Sequence, residues 1–421
     1  MRRLIPALLL VSAAFGGGLL AGASVVQGAR ASARDAYAGL DTLARVLNTI
    51  EARYVEPVET DDLLYGAVRG MVRELDPWSV FLGPAEWADL QDHADGTLDG
   101  VGLQLARADD GALRVTELAP GGPADRAGVR VGAHLLAIDG VPTDAQPLSE
   151  VRAALAGARG ELVTLDLDQG AGRQRVPVIR ERYEEQVVTA SRHGDTVRLR
   201  ISHFSRATRT QLDAAWTAHA DPPPTAIILD LRGNPGGLMD QAAAVVDRFV
   251  GDGLAVESRG RDGVVLDRHP TTTTPDDLDL PMVVLVDEGS ASAAEVVAGA
   301  LRDRERATLV GRTTYGKGTV QHVFELEDGS ALKLTLARYH LPSGASIPDR
   351  RGLTPDVVVP QQPGDAAAAL RAEVRSAGLS PRQERDLIER IDEALPAPTG
   401  PDPAPATDPF LEAAWATLAA R

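Results

Sequence analysis

The strongest constraint on the fold is an alternation of apolar strand-like and helix-like runs between residues 183 and 360. Ala226 to Leu231 and Met282 to Val286 are short apolar runs typical of buried strands. Ala242 to Val250 and Ala293 to Leu301 have the composition and spacing of helices. Strands that alternate with helices in this way predict an α/β core.

The rest of the chain divides into segments that differ in the spacing of their apolar residues and in their glycine and proline content. Residues 35–95 carry apolar side chains at helical spacing, whereas residues 96–182 alternate like strands and are punctuated by glycine. Residues 361–421 contain two helical stretches separated by the proline-rich run Pro396 to Pro409, which is a stiff linker by composition. A chain of 421 residues is long enough for several domains. We therefore expect an α/β multidomain protein with a β-rich module before the 183–360 core and helices on either side.

The N-terminal segment has the pattern of an export signal. Two arginines precede an uncharged run from Leu4 to Ala29, which is long enough to span a membrane. Small-residue patterns at Ala21-Gly22-Ala23 and Ala31-Ser32-Ala33 equally fit cleavage sites. Residues 1–31 are thus expected to be a signal peptide or a membrane anchor. Either outcome predicts a location in the periplasm or on the outer face of the cytoplasmic membrane.

Composition excludes several classes of partner and site. The formal net charge of −17 and the lack of a basic cluster argue against nucleic-acid binding. The absence of cysteine excludes disulfides, thiolate zinc sites and cysteine nucleophiles. The eight histidines lack metal-ligand spacing. We expect no nucleic-acid partner, no metal and no cofactor.

A serine lies at the start of a predicted helix. The apolar run that ends at Val286 leads through a short turn to Ser292, and Glu295 follows three residues later. Ser292 and Glu295 fit a capping box, which is the ordinary explanation for a serine in this position. The same position suits a nucleophile, because free N–H groups at a helix start stabilise an alkoxide and a nearby oxyanion. The Ala293 N–H would be one such donor.

A serine nucleophile requires a base, and two kinds of residue compete for that role. His322 and His340 are the nearest histidines, but neither has a recognisable triad context, so a Ser–His pair is the weaker alternative. Of the 43 basic residues only Lys317 and Lys333 are lysines. Lysine can act as a base because, unlike arginine, it can be neutral when it is desolvated.

The two lysines occupy different settings. Lys333 lies in an alternating run that is typical of a packed or solvated strand residue. Lys317 lies in the turn Tyr315-Gly316-Lys317-Gly318, where flanking glycines allow close approach of the backbone. A phosphate-binding loop is the alternative, but the pattern GxxxxGK[ST] is absent. Lys317 is therefore the candidate general base.

Four segments in this order resemble the carboxy-terminal processing, or tail-specific, serine peptidases. The segments are ELDPWSVFL (Glu74 to Leu82), AIILDLRGNPGG (Ala226 to Gly237), GSASAAEVVAGAL (Gly289 to Leu301) and TTYGKGTVQ (Thr313 to Gln321). The resemblance implies a Clp/crotonase-like α/β peptidase core with Ser292 as nucleophile and Lys317 as base.

The same resemblance assigns supporting roles around the dyad. It implies that Gln321 positions the lysine amine, as an amide oxygen can do without adding a negative charge. It also implies oxyanion donors at Gly237 and Ala293. The segment Asn234 to Gly237 by itself fits an ordinary strand-to-helix turn equally well.

The module at residues 96–182 resembles a PDZ domain. The similarity rests on GVGLQL (Gly100 to Leu105) and on the segment from Val115 to Thr143. In PDZ domains a glycine-containing loop offers N–H groups to a terminal carboxylate, and the peptide adds as a strand to a sheet edge. The resemblance implies that Val101, Gly102 and Leu103 bind the substrate tail. Ala133-His134 departs from the Gly-Asp that many relatives carry, which leaves the local turn in question.

The resemblance also implies partners. We expect polypeptide substrates with free, apolar C-termini, an adaptor or activator protein, and self-association through the flanking helices. One alternative is a non-catalytic PDZ scaffold of the cell envelope, against which the intact set of Ser292, Lys317 and Gln321 argues. Another is an acyl-transfer enzyme acting on small thioesters, which the PDZ-like segment and the export signal disfavour.

Overall fold

The computed structural model describes residues 39–108, 111–143, 146, 148–360 and 408–420, together with residues 370, 374, 387, 388, 390 and 391. The predicted export signal and most of the proline-rich run lie outside the described residues. Contacts divide the chain into two compact units, Met1–Met71 and Val72–Arg421. Within these described ranges no helix has both the length and the apolar character needed to cross a membrane.

The first half of the chain is helical and then rich in strands. In chain order its elements are α1 (39–53), α2 (Thr60–Arg73), β1 (Val80–Leu82), α3 (Pro84–Asp95), β2 (Thr97–Gly100), β3 (Leu103–Arg107), β4 (Leu113–Leu118), α4 (Pro123–Arg126), β5 (His134–Ile138), β6 (Val141–Pro142), α5 (Leu148–Leu155), β7 (Leu162–Asp168), β8 (Arg173–Ile179) and β9 (Glu181–Glu184).

The second half alternates strands and helices. Its elements are β10 (Val188–His193), β11 (Thr196–Ile201), α6 (Thr208–His219), β12 (Ala226–Asp230), α7 (Met239–Asp247), β13 (Gly253–Arg259), a 3₁₀ turn (Arg261–Gly263), β14 (Val265–Thr271), β15 (Met282–Val286), α8 (Ala293–Asp303), β16 (Thr308–Gly311), β17 (Thr319–Glu325), β18 (Ala331–His340), β19 (Val357–Val358) and α9 (Pro409–Ala419).

The described part of the first unit consists of α1 and most of α2. Acidic residues Asp61 and Asp62 lie in the first turn of α2 and Arg73 lies in its last turn, so each charge complements the nearer end of the helix dipole. Helices therefore occupy the region where helical spacing of apolar residues was expected.

The β-rich module is an antiparallel sheet that shares its core with the helices α4 and α5. Its strand order is β3-β4-β5-β7-β8, β6 pairs with β5, and β2 pairs with β9 in a separate two-stranded ribbon. Alternate side chains such as Leu113, Leu135 and Leu165 are fully buried in its core. Because β3 lies at one end of this order, its outer edge carries no strand partner in the described sheet.

The α/β core contains a six-stranded sheet in the order β10-β11-β12-β15-β16-β19. β10 and β11 are antiparallel, and every other neighbouring pair is parallel. All five residues of β12 and all five of β15 are buried. Such apolar runs are typical of strands that are covered on both faces.

Helices cover both faces of this sheet. α6, α7 and α8 contribute to the large core on one face, in which residues 296–298 of α8 are fully buried. On the other face Phe410 and Ala414 of α9 pack with Ile228, Val283 and Leu285. The catalytic candidates therefore follow strands that are held in place from two sides.

A second sheet of the core is antiparallel and has the order β1-β18-β13-β14, with β17 also paired to β18. It brings the segment around Val80 next to Lys333 and sets Gln321 opposite Thr335. The predicted fold class, a β-rich module followed by an α/β core, is confirmed.

Candidate active site

Ser292 lies at the junction between β15 and α8, as the sequence predicted. Its backbone has a φ of +54° and a ψ of −115°, which is unusual for a residue with a side chain. Such conformations persist only where the surrounding structure fixes them, and they cluster at active sites. The strained backbone therefore favours a functional role for Ser292 over simple capping.

Hydrogen bonds fix the turn that precedes Ser292. The Ser290 hydroxyl donates to the Leu231 carbonyl at 2.8 Å, and the Ala291 N–H donates to the Asn234 carbonyl at 2.9 Å. The Ser290 carbonyl accepts from the Tyr315 N–H at 3.0 Å. The serine turn is thus joined both to the loop after β12 and to the loop that carries the candidate base.

A buried carboxylate links the turn that leads to Ser292 (the serine turn) to the loop that carries Lys317 (the lysine loop). Glu295 is fully buried on the first turn of α8. Its two oxygens accept from the N–H of Ser292 at 2.9 Å, the hydroxyl of Thr314 at 2.5 Å, and the N–H groups of Gly316 and Lys317 at 2.8 Å each. Burial raises the pKa of Glu295, and these four hydrogen bonds oppose that rise. Four donors match the acceptor capacity of an ionised carboxylate.

Lys317 is half-buried between two glycines. A Cβ on Gly316 would lie 2.7 Å from the Arg351 nitrogen, and one on Gly318 would lie 2.6 Å from the Ile347 carbonyl oxygen. Both flanking positions therefore require glycine for the close approach of neighbouring backbone. The Lys317 Nζ lies 4.7 Å from the centre of the Trp78 ring. The aromatic face thus covers the amine with apolar surface.

The segment that carries Trp78 is tied to the Gln321 region. Asp76 accepts from the N–H groups of Trp78 and Ser79 at 2.8 Å each, and the Ser79 hydroxyl accepts from the Thr335 N–H at 3.1 Å. The Gln321 amide nitrogen donates to the hydroxyls of Thr319 at 2.8 Å and Thr335 at 3.2 Å. These bonds set the orientation of the Gln321 amide group.

The turn Asn234 to Gly237 after β12 (the glycine turn) lies against Ser292. A Cβ on Gly236, where φ is +107°, would lie 2.8 Å from the Ser292 Cβ and 3.1 Å from the Ala293 nitrogen. A Cβ on Gly237, where φ is +132°, would lie 2.2 Å from the Phe204 carbonyl oxygen. Within the described part of the chain neither the Gly237 N–H nor the Ala293 N–H donates a hydrogen bond. Both predicted oxyanion donors are therefore unused by the protein itself.

A cleft of about 280 Å³ is lined by the start of α7 and by residues of β13, β14, β17 and β18. Its walls are mixed, with apolar side chains such as Met239 and Leu336 and polar ones such as Gln321 and His322. Met239 begins α7 just after the glycine turn, and Gln321 follows the lysine loop on β17. Of the candidate catalytic residues, Gln321 lines this cleft, and Ser292 and Lys317 are not among its lining residues.

The predicted tail-binding residues lie in the β-rich module, at the start of its edge strand. The Val101 carbonyl accepts from the Ala124 N–H at 2.8 Å and the Gly102 carbonyl accepts from the Ala119 N–H at 3.0 Å. Gly102 has a φ of +73°, and Leu103 begins β3 opposite Leu118. The loop is thus fixed through its carbonyl groups at the open edge of a sheet.

The turn at Ala133-His134, where this chain lacks the Gly-Asp of many relatives, is regular. Gly132 has a φ of +86°, the Ala133 carbonyl accepts from the Val115 N–H at 2.8 Å, and His134 begins β5. The conformational demand of the turn falls on Gly132, so the residues after it do not need glycine.

Two residues that shape the site escaped the sequence analysis. Glu295 was interpreted only as part of a capping box, and Trp78 only as part of a family-like segment. The available signals were the closeness of Glu295 to a candidate nucleophile and an aromatic residue within the Glu74 to Leu82 segment. Neither signal identifies a partner that is distant in sequence, such as Lys317.

Comparisons with known proteins agree with this architecture. The family model described as peptidase family S41 matches residues 195–359, a PDZ domain model matches residues 114–169, and a model described as the activating protease CtpB N-terminal domain matches residues 20–84.

Relatives that match more than three quarters of the chain are also found. A carboxy-terminal-processing protease of Bartonella bacilliformis is 34% identical over 334 residues, which cover 78% of this chain and 76% of that protein. A Staphylococcus aureus protein named "Probable CtpA-like serine protease" is 33% identical over 326 residues, which cover 76% of this chain and 65% of that protein. The structure of a photosystem II D1 C-terminal processing protease is 29% identical, with a TM-score of 0.46 and coverage of 80% of this chain and 94% of that one.

Proposed function

Because this chain belongs to the S41 family of carboxy-terminal processing serine proteases, we propose that it is an exported endopeptidase that uses Ser292 as nucleophile and Lys317 as general base. The predicted family, PDZ domain and serine-type peptidase activity are confirmed by the comparisons. Its substrates are therefore polypeptides. The roles of individual residues, the recognition of C-terminal tails and export form the proposal.

One observation carries the catalytic part of the proposal. The Glu295 carboxylate accepts hydrogen bonds from the backbone of both Ser292 and Lys317. A carboxylate with this connectivity fixes the serine turn and the lysine loop relative to each other, and a dyad depends on such fixed geometry. The Trp78 ring lies 4.7 Å from the Lys317 amine and so restricts where the amine can lie.

The proposed reaction is acyl transfer through a covalent intermediate. The neutral Lys317 amine takes the proton of the Ser292 hydroxyl as its oxygen bonds to the substrate carbonyl carbon. The oxyanion that forms accepts from the Gly237 and Ala293 N–H groups. The C–N bond then breaks, and the leaving amine takes the proton from Lys317. Water, deprotonated by Lys317, cleaves the acyl-enzyme and restores Ser292.

Gln321 has a positioning role in this proposal. Its amide nitrogen is engaged by Thr319 and Thr335, which leaves the amide oxygen as the group that can accept from the Lys317 amine. An amide, unlike a carboxylate, directs the amine without adding a negative charge beside it. The aromatic and amide groups thus act together on the base.

Substrate capture is proposed to use the PDZ domain. The open edge of β3 can accept an extended peptide as an additional strand, and the loop at Val101, Gly102 and Leu103 can bind the terminal carboxylate through N–H groups. This mode requires a free C-terminus and tolerates varied sequences, because the main chain makes most of the contacts. The expected preference for apolar tails rests on the family resemblance.

Export and a protein activator complete the proposal. The pattern of residues 1–31 supports export to the periplasm or to the outer face of the cytoplasmic membrane. The match to the activating protease CtpB N-terminal domain supports an adaptor or activator as partner. Self-association through the flanking helices remains part of the same proposal.

Cleavage of an unfolded protein with an apolar free C-terminus tests the proposed function. The chain beginning at Ser32 is compared with Ser292→Ala and Lys317→Arg, and circular dichroism establishes that all three are folded. We expect cleavage by the parent chain and none by either variant. Equal inactivity of all three, with and without candidate activators, would favour the scaffold instead, and unchanged cleavage by Ser292→Ala would exclude Ser292 as the nucleophile.

A further inference from the structure

The C-terminal helix α9 contacts the two segments that lead into the catalytic loops. Phe410 on its first turn is buried, and its ring centre lies 4.8 Å from the guanidinium carbon of Arg232 and 4.8 Å from that of Arg312. Arg232 follows β12 and precedes the glycine turn. Arg312 follows β16 and precedes the loop of Lys317.

An ion-pair network extends the first of these contacts. Asp408, which caps α9 by accepting from the Phe410 N–H at 3.0 Å, also accepts from Arg232 at 2.8 Å. Arg232 in turn donates to the fully buried Asp230 at 2.8 and 2.9 Å. The end of β12 is therefore tied to α9 by charge as well as by the aromatic ring.

The second contact reaches the serine turn. Arg312 lies 3.5 Å from the carboxylate of Glu288, and its N–H donates to the Val286 carbonyl at 3.0 Å. Asp287, the neighbour of Glu288, accepts from the Gly233 N–H at 2.7 Å. The starts of the glycine turn, the serine turn and the lysine loop thus meet in one network beneath the catalytic residues.

Phe410 fills a place that the strands leave for it. A Cβ on Gly311, the last residue of β16, would lie 3.1 Å from the Phe410 ring and 2.0 Å from the Val286 carbonyl oxygen. The ring therefore lies where β15 and β16 end, against backbone that allows no side chain. Guanidinium groups near an aromatic face are held by cation–π attraction, which strengthens when the groups are desolvated.

We propose that Phe410 and Asp408 are positioning residues for catalysis, because α9 holds in register the loops that carry Gly237, Ser292 and Lys317. This inference rests on the proposed function of those loops. It assigns the C-terminal helix a catalytic task that is separate from the substrate capture of the PDZ domain. Positioning errors of about 1 Å can cost about 100-fold in rate, so a support outside the active site can control kcat.

Trp415 provides a matched control on the same helix. Its ring stacks on His193 of β10 with centroids 4.4 Å apart, at the opposite edge of the sheet from β16. Trp415→Ala and Phe410→Ala each remove one aromatic contact between α9 and the sheet. Only Phe410→Ala removes the ring that lies against Arg232 and Arg312.

The experiment measures kcat, KM and thermal stability in the chain beginning at Ser32. We expect Phe410→Ala to lower kcat about 10-fold or more with KM unchanged, and to slow the reaction of Ser292 with a fluorophosphonate by a similar factor. Asp408→Asn, which keeps the shape of the side chain, should lower kcat less. Trp415→Ala should lower the melting temperature and leave kcat at the parental value.

The outcomes separate this inference from the proposed function. If the parent chain cleaves the substrate and Ser292→Ala does not, the peptidase activity is established. A folded Phe410→Ala variant with parental kcat then overturns only the proposed role of α9. Equal losses of kcat in Phe410→Ala and Trp415→Ala also overturn it, since they indicate general destabilisation. If Phe410→Ala does not fold, the Asp408→Asn variant tests the inference instead. A parental kcat and a parental fluorophosphonate rate in Asp408→Asn would reject the inference. A reduced kcat with parental stability would support it.

Discussion

The backbone N–H of Lys317 donates a hydrogen bond to the buried carboxylate of Glu295 at 2.8 Å. Since Glu295 lies on the first turn of the helix that begins after Ser292, the loop of the candidate base is anchored to the helix of the candidate nucleophile. The same carboxylate accepts from the Ser292 N–H, so neither backbone can shift without breaking a hydrogen bond to a buried carboxylate.

Glu295→Gln tests this link. The amide of glutamine offers one acceptor oxygen, so its NH₂ group faces two of the four donors that the carboxylate accepts. An unsatisfied buried donor costs about 1–3 kcal/mol, so we expect the free energy of unfolding to fall by about 2 kcal/mol. We also expect kcat to fall about 10-fold or more with little change in KM. Urea denaturation and steady-state kinetics measure both, and Glu325→Gln on the exposed end of β17 is the control. Parental kcat in a folded Glu295→Gln would show that the link is dispensable.

The two lysines of the chain give a direct test of the general base. Lys317→Arg replaces the amine by a guanidinium group, which does not deprotonate in proteins and therefore cannot accept a proton. Loss of a general base costs about 100- to 10,000-fold in kcat. Lys333→Arg, on the paired strand β18, changes the same chemical group outside the site and should retain parental kcat. Comparable activity of the two variants would remove Lys317 from the mechanism.

Asp230 predicts a dependence of stability on pH. Burial raises the pKa of this carboxyl group, but the hydrogen bonds and charges of Arg232, with Arg198 and Arg200, outweigh burial and bring the pKa from 3.8 to about 2. A depressed folded-state pKa stabilises the native state above the unfolded-state pKa, and that contribution is lost as the pH falls from about 4 towards about 2. At 1.36 kcal/mol per pKa unit the contribution is about 2 kcal/mol.

Asp230→Asn should therefore be less stable than the parent at neutral pH, and the difference should shrink as the pH approaches 2. Urea denaturation across the acid range measures the difference, with the exposed Asp276→Asn as the control. A difference that stays constant with pH would mean that the Asp230 charge does not provide the stabilisation.

Local signals account for the part of the site that the sequence predicted. The buried run of β15, a serine with helix-start features and the apolar run of α8 follow one another within about 20 residues, the range over which period and capping signals operate. The glycines around Lys317 likewise gave a turn from sequence alone. Each of these features depends on neighbours along the chain.

Contacts that depend on the tertiary fold could not be read in this way. Trp78 covers the Lys317 amine because β1 pairs with β18, and no periodicity links the two segments. Phe410 lies between Arg232 and Arg312 although a proline-rich run separates it from the core in sequence. Composition marked that run as a linker but gave no indication of where the helix after it would pack.

Gly102→Ala tests capture of the substrate tail by the PDZ domain. Gly102 has a φ of +73°, and a Cβ there would lie 3.1 Å from the Pro123 Cδ and 3.4 Å from the Ala119 Cβ. The loop or these neighbours must therefore give way by a few tenths of an ångström, and a shift of the loop would misplace its N–H groups against a bound carboxylate. Gly111→Ala is a matched control, because its φ is +81° and a Cβ would meet nothing within 4 Å.

Both substitutions place alanine at a positive φ, which costs about 1 kcal/mol, and only Gly102→Ala adds close contacts in the loop and should impair binding. We expect KM for a substrate with an apolar free C-terminus, and Kd for the matching tail peptide, to rise about 10-fold in Gly102→Ala while kcat stays parental. Amidation of the tail should remove the difference between the variants, since it removes the charge that the loop binds. An equal KM for Gly102→Ala and Gly111→Ala would place tail recognition outside this loop. If Gly102→Ala instead lowers kcat and leaves KM unchanged, the PDZ domain acts on the catalytic residues rather than on substrate affinity.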